Sequence, residues 1–251
     1  MLIHPTLETL QRLRLRGMYM ALQEQLQLPE TDSLSFEERL GLLLEREVTE
    51  RETRRLRTRL KQAKLRENAA IEDIDYRANR GLEKALMTRL AACQWIGEHL
   101  NVLITGPTGV GKTWIACALA NKACREGYTA RYLRLPRLLQ ELGIARADGR
   151  YPKLLAELAR TDLLVLDDWG LTPLNDEQRR DLLEILDDRF NARSTLVTSQ
   201  LPIAHWHEYL ADPTLADAIL DRLVHCAYKL NLSGESLRKQ AADLTHEPAL
   251  A

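Results

Sequence analysis

Aromatic residues are scarce in this chain of 251 residues, at 5%. A platform of rings on which bases could stack is therefore not an evident mode of nucleic-acid contact. The four cysteines, Cys93, Cys117, Cys124 and Cys226, form no C-x-x-C pair. A reduced, cytoplasmic protein is the natural expectation. The N-terminus lacks a basic-then-apolar signal pattern, and no apolar run approaches about 18 residues, so neither export nor a membrane partner is expected. The formal net charge is −1, so no overall excess announces a polyanionic partner. The length suits one α/β domain with a small appendage.

Against these absences one stretch stands out: Gly106-Pro107-Thr108-Gly109-Val110-Gly111-Lys112-Thr113. It follows the apolar run Asn101–Thr105 and precedes the helix-like run Trp114–Ala120. Strand, glycine loop and helix with the spacing G-x-x-x-x-G-K-[ST] make a P-loop. Its backbone amides and the helix dipole would cradle a polyphosphate. Lys112 would reach the β- and γ-phosphates, and Thr113 would offer its hydroxyl to Mg²⁺.

Downstream, Leu163-Leu164-Val165-Leu166 reads as a strand buried on both faces, and Asp167-Asp168 follow where it should emerge. Ligands of open α/β sheets bind at that edge. Asp167 would hold Mg²⁺, and Asp168 would polarise the attacking water. Thr195–Thr198 reads as a further strand. The polar residues at its end would sit beside the γ-phosphate if this strand lies between the other two. Gln200 is the candidate there, with Ser199 and Thr198 as rivals.

The rest of the chain reads as helices and connectors. Residues 1–30 show helical spacing ended by Pro29, and Ser35 with Glu38 forms a capping box for the next helix. Phe36, Leu40, Leu43, Leu44 and Val48 would form its apolar face. From Arg51 to Arg66 the helix turns basic: Arg51, Arg54, Arg55, Arg57, Arg59, Lys61, Lys64 and Arg66 stand against the single acid Glu52. Such cations can contact DNA phosphates, or can form a solvated face. Leu82–Ile96 is again helical. Asn175 with Gln178 starts another helix by a capping box, and Tyr228–Leu232 is a fifth strand-like run.

Taken together, residues 67–240 resemble the AAA+ ATPases of the DnaC/IstB type. The resemblance is carried by the P-loop, Leu163–Gly170, Val197-Thr198-Ser199-Gln200-Leu201-Pro202, Asp221-Arg222 and Gly234-Glu235-Ser236-Leu237-Arg238. The last of these and Asp167-Asp168-Trp169-Gly170 are closer to IstB, the helper ATPase of a transposon. The resemblance implies a five-stranded parallel sheet in the order 5-1-4-3-2 flanked by helices. It implies a small helical N-terminal domain (1–66), an ATPase domain (67–240) and a disordered tail (241–251). It makes Arg222 an arginine finger acting on a neighbouring subunit's ATP, and Arg238 a sensor of its own γ-phosphate. It further implies ATP and Mg²⁺ as cofactors, rings or helical filaments on duplex DNA, and the transposase of the same mobile element as partner. Position 168 is Asp where many AAA+ proteins carry Glu, so hydrolysis should be slow. Thirteen residues after Arg238 leave room for only a reduced lid. Two other readings are a replicative helicase loader and a small-molecule kinase. The second lacks an evident acceptor pocket or phosphate-clamping lid.

Overall fold

A computed structural model describes residues 3–28, 33–76 and 80–237. Pro29, Arg238 and the tail 241–251 lie outside the described residues. The chain divides into two compact units, Met1–Thr58 and Arg59–Ala251.

In the first unit the expected single helix over 1–30 is two: α1 (Ile3–Arg12) and α2 (Arg16–Gln25). The chain breaks at Arg14, which is left-handed at φ 59°. No proline or glycine marks that point; the cause lies thirty residues on, in α3 (Phe36–Ala63). There Glu47, 7% exposed, accepts hydrogen bonds from the free amides of Gly17 (2.7 Å) and Met18 (3.2 Å). Those donors exist only because α2 begins there. Gly17 permits the approach: a Cβ would lie 2.5 Å from the Arg46 carbonyl oxygen and the Glu47 Cα. The Ser35–Glu38 capping box forms with both bonds, at 2.8 and 3.2 Å. Phe36, Leu40, Leu44 and Val48, expected as a packed face, are exposed. Two short helices do not cover that side of α3.

The second unit is built on five parallel strands: β1 (Asn101–Thr105), β2 (Ala130–Arg134), β3 (Leu163–Trp169), β4 (Ser194–Ser199) and β5 (Ala227–Asn231). Their spatial order is β2-β3-β4-β1-β5, all pairings parallel. This is the order 5-1-4-3-2 read from the other edge. β1, β3 and β4 are buried almost throughout, as continuous apolar runs require. One face, with Leu103, Leu164, Leu166 and Val197, packs against α7 (Leu135–Ala147), α8 (Tyr151–Arg160), α9 (Asp176–Arg189) and α11 (Pro213–Val224). Trp206 and Leu210 of the short α10 (Trp206–Leu210) complete this cluster. The other face receives α6 (Lys112–Arg125), which contacts β1 through β4.

The Asn175–Gln178 capping box of α9 forms as expected. The expected helix over 82–96 does not run through: α4 (Lys84–Ala91) and α5 (Gln94–Gly97) are separated by Cys93 at φ 56°. The bend lets the Trp95 indole donate back to the Leu90 carbonyl (3.0 Å) within the core. The last turns of α3 belong to this unit. Ala63 is fully buried, and Arg59 Nε donates to the Cys124 carbonyl at the end of α6 (2.8 Å).

Candidate functional site

Parallel strands that all point one way leave their C-terminal ends on one edge. There the structure opens a cleft of about 520 Å³. The P-loop crosses from Thr105 into α6, whose N-cap Gly111 has no side-chain cap. The first amides of α6 are therefore open to an anion. Lys112 Nζ lies over the loop, donating to the carbonyls of Gly106 and Pro107 (both 2.7 Å). The loop is braced from behind by the segment after β5. Leu237 N donates to the Gly109 carbonyl (3.0 Å), and a Cβ on Gly109 would lie 2.1 Å from Ser236 Oγ. Gly109, at φ 83°, thus serves both the turn and this close approach.

β4 lies between β1 and β3, which brings the end of β3 beside the loop. Asp167 is 1% exposed and gathers three hydroxyls. Thr113 Oγ1 is 3.0 and 3.1 Å from its two oxygens, Tyr132 OH is 2.5 Å from Oδ2, and Thr198 Oγ1 donates to Oδ1. Burial raises the Tyr132 pKa, and its hydrogen bond to the Asp167 carboxylate raises it further. The tyrosine is therefore a permanent donor.

Asp168 was expected just beyond β3, but the strand continues through it to Trp169. The residue adopts φ 64°, and the pairing with β4 shifts register between Leu166 and Trp169. The irregularity breaks the strand's alternation, and both carboxylates line the cleft. Asp168 Oδ2 is held by Arg134 Nε at 2.6 Å. Of the three polar candidates ending β4, Thr198 is engaged by Asp167. Ser199 Oγ donates to the Trp169 carbonyl (2.8 Å) and accepts from Leu201 N (3.0 Å). Gln200 is exposed and lines the cleft.

The cleft thus collects Thr108, Gly109, Gly111, Lys112, Thr113, Asp167, Asp168 and Gln200. Val110 is buried beneath the loop. Arg222 is elsewhere. Asn101, at the opposite end of β1 from the P-loop, donates to its backbone carbonyl (2.9 Å). That strand is about 13 Å long at about 3.3 Å per residue. The Arg222 guanidinium pairs with Asp187 (2.6 Å).

The basic run of α3 is not uniform. Arg51 pairs with Glu47 (2.6 Å), Arg59 caps α6 and Arg66 faces the cleft. Arg54, Arg55, Arg57, Lys61 and Lys64 are exposed. Arg54, Arg57 and Lys61 follow one another at helical spacing and form a stripe.

Sequence reasoning missed Tyr132, Arg134 and Arg66. The strand order would have given the first two, because it puts β2 beside β3, with Arg134 in register with Asp167. Arg66 was absorbed into a run of like charge. Among the described residues no cluster of three or more His, Cys, Asp or Glu could hold a metal, and no helix is long and apolar enough to cross a membrane.

A P-loop at the edge of a parallel sheet of this order, with paired carboxylates on the strand beyond β4, defines an AAA+ P-loop nucleotide-binding protein. The likeness to solved structures supports the fold. DnaI superposes with a TM-score of 0.55 at 21% identity, over 66% of this chain and 91% of DnaI. The DnaC helicase loader gives 0.53 at 20%, over 66% and 97%. Within that class the chain belongs to the IstB-like ATP binding protein family, which matches residues 8–245. An insertion sequence ATP-binding protein of Sinorhizobium fredii is 54% identical over 95% of this chain and 98% of its own length. The insertion sequence IS21 ATP-binding protein of Pseudomonas aeruginosa is 33% identical over 91% and 86%.

Proposed function

We propose that the protein is an ATP-controlled assembly factor of an insertion sequence, which oligomerises on duplex DNA and helps the element's transposase use its target site. The observation that carries the reading is the meeting of Lys112, Thr113 and Asp167 in one cleft beneath an uncapped helix N-terminus. The relatives are named as insertion-sequence ATP-binding proteins, which supports the transposition setting.

The loop amides of Gly106–Thr113 and Lys112 bind the phosphates of ATP. Thr113 and Asp167 offer an all-oxygen donor set, which fits Mg²⁺. Magnesium held there would supply positive charge to offset that of the phosphates. Asp168 accepts a proton from the attacking water once its carboxylate leaves Arg134, and Gln200 orients that water or the γ-phosphate. Arg222, too far from its own cleft, contacts the ATP of a neighbouring subunit; Arg238 acts on the γ-phosphate of its own. A head-to-tail contact of this kind produces a ring or a helical filament. The exposed cations among Arg51, Arg54, Arg55, Arg57, Arg59, Lys61 and Lys64 contact DNA phosphates without reading sequence. Slow hydrolysis then dissolves the assembly. The alternative of a replicative helicase loader draws only on a fold shared with DnaI and DnaC.

Equilibrium titration with Mg·ATP tests the site. The wild-type protein should bind at micromolar concentrations, and Lys112→Ala should weaken binding at least about tenfold. Unchanged affinity in the variant would remove the P-loop from the account.

A further inference from the structure

Arg66 belongs to the basic run by sequence but not by position. α3 stops at Ala63, Lys64 turns left-handed at φ 50°, and the chain then delivers Arg66 to the wall of the cleft. Its Nη1 stands 3.9 Å from Asp167 Oδ2. The Tyr132 hydroxyl and the charges of Asp167 and Asp168 favour its cationic form. Asp167 is sealed at 1% exposure, whereas the Arg66 side chain keeps 42%.

These numbers describe a cation that is near its carboxylate without being locked to it. At 3.9 Å the contact is an ion pair at its outer limit and not a hydrogen bond. Partial exposure weakens it further. Asp167 does not depend on it, since three hydroxyls already donate to that carboxylate. The other cations of the cleft bond directly to carbonyl or carboxylate oxygens, whereas the near partner of Arg66 is the neutral Tyr132 hydroxyl. Lys112 Nζ bonds two loop carbonyls, and Arg134 Nε bonds Asp168 at 2.6 Å. Arg66 is instead held by that hydroxyl and by two carboxylates at long range, Asp167 at 3.9 Å and Glu67 at 3.8 Å. A triphosphate brings new negative charge in front of Asp167, and the γ-phosphate is the part a diphosphate lacks. A guanidinium fork suits phosphate oxygens better than a distant carboxylate that is already solvated by hydroxyls.

We propose that Arg66 is a γ-phosphate ligand supplied by the subunit's own chain, through which the segment following α3 distinguishes ATP from ADP. This rests on reading the cleft as the ATP site. Arg66 leaves Asp167 when the triphosphate arrives and stays beside it when ADP is bound.

The test is equilibrium binding to the full-length protein, in Mg²⁺, of a non-hydrolysable ATP analogue and, separately, of ADP. R66A and R66Q are compared with wild type; R66Q keeps a polar, uncharged and shorter side chain should R66A fail to fold. Both variants should lose about tenfold in affinity for the triphosphate, the worth of one charge-assisted hydrogen bond in competition with water. ADP affinity should stay within about twofold. An unchanged ratio of the two affinities in R66Q, or equal losses for both nucleotides, would overturn the proposal and leave Arg66 as a support for Asp167. Wild-type protein that binds neither nucleotide would overturn the ATP reading itself, and this proposal with it.

Discussion

Replacing Gly109 by alanine adds one methyl group where the P-loop meets the segment after β5. The new Cβ would stand 2.1 Å from Ser236 Oγ, 2.7 Å from its Cβ and 3.1 Å from its Cα. The hydroxyl can rotate away, but Cβ and Cα move only with the backbone, which is tied to the loop by Leu237 N and the Gly109 carbonyl. Two costs add. Holding a side chain at φ 83° costs about 1–2 kcal/mol. Overpacking against Ser236 costs a further ~1–3 kcal/mol. The expected loss is about 2–5 kcal/mol. Gly149→Ala is the internal standard, because Gly149 has φ 78° and nothing within 4 Å of its added Cβ. It should show the backbone cost alone, about 1–2 kcal/mol. Ser236→Gly in the Gly109→Ala background removes the two shortest contacts and should recover about 1–3 kcal/mol. Urea unfolding followed by tryptophan fluorescence suits the purpose, since Trp95, Trp114, Trp169 and Trp206 all lie in the second unit. Gly109→Ala costing no more than Gly149→Ala, or Ser236→Gly returning nothing, would refute the packing of this segment on the P-loop.

Other outcomes follow from single contacts. Burial pushes the Glu47 pKa up, but Arg51 and the amides of Met18 and Gly17 outweigh it, and the net shift is downward. A lowered folded pKa means stability that is present above the unfolded value of about 4.3 and lost as pH falls through the folded one. Hydrogen exchange should therefore show the Gly17 and Met18 amides protected at neutral pH and opening as acid takes the pH below the unfolded value and through the lowered folded one; protection that does not change with acid would contradict this. Arg134→Ala frees Asp168 from a half-exposed pair worth about 0.5–1 kcal/mol, so phosphate release at saturating ATP should rise about two- to fivefold. A fall would mean that Arg134 supports the reaction instead of restraining it. Reversing charge at Arg54, Arg57 and Lys61 should weaken duplex binding and flatten its dependence on salt, each lost phosphate contact lowering the slope by about 0.9. An unchanged slope would place the DNA contacts elsewhere.

Much of the fold was legible because its signals are local. The glycine loop between an apolar run and a helix, the apolar run before Asp167 and the two capping boxes each declare themselves within ten residues or so. The strand order came from the resemblance; residue patterns alone could not supply it. What escaped was decided across the fold. Arg14 and Cys93 are neither glycine nor proline, yet both turn left-handed, the first where α2 must present its amides to Glu47 and the second where Trp95 must reach back to Leu90. The exposed face of α3 depends on how little the short helices beside it can cover. Tyr132 and Arg134 became part of the site only because β2 lies alongside β3, and Arg66 because α3 ends three residues before it.

The measurement that bears most directly on ATP-controlled assembly is sedimentation velocity of the pure protein with Mg·ATP, with and without duplex DNA, beside Arg222→Ala. The account predicts large assemblies that need both ATP and duplex and that collapse to small species in the variant, while the variant still binds ATP. Assemblies of equal size in Arg222→Ala, or a monomer under every condition, would contradict it.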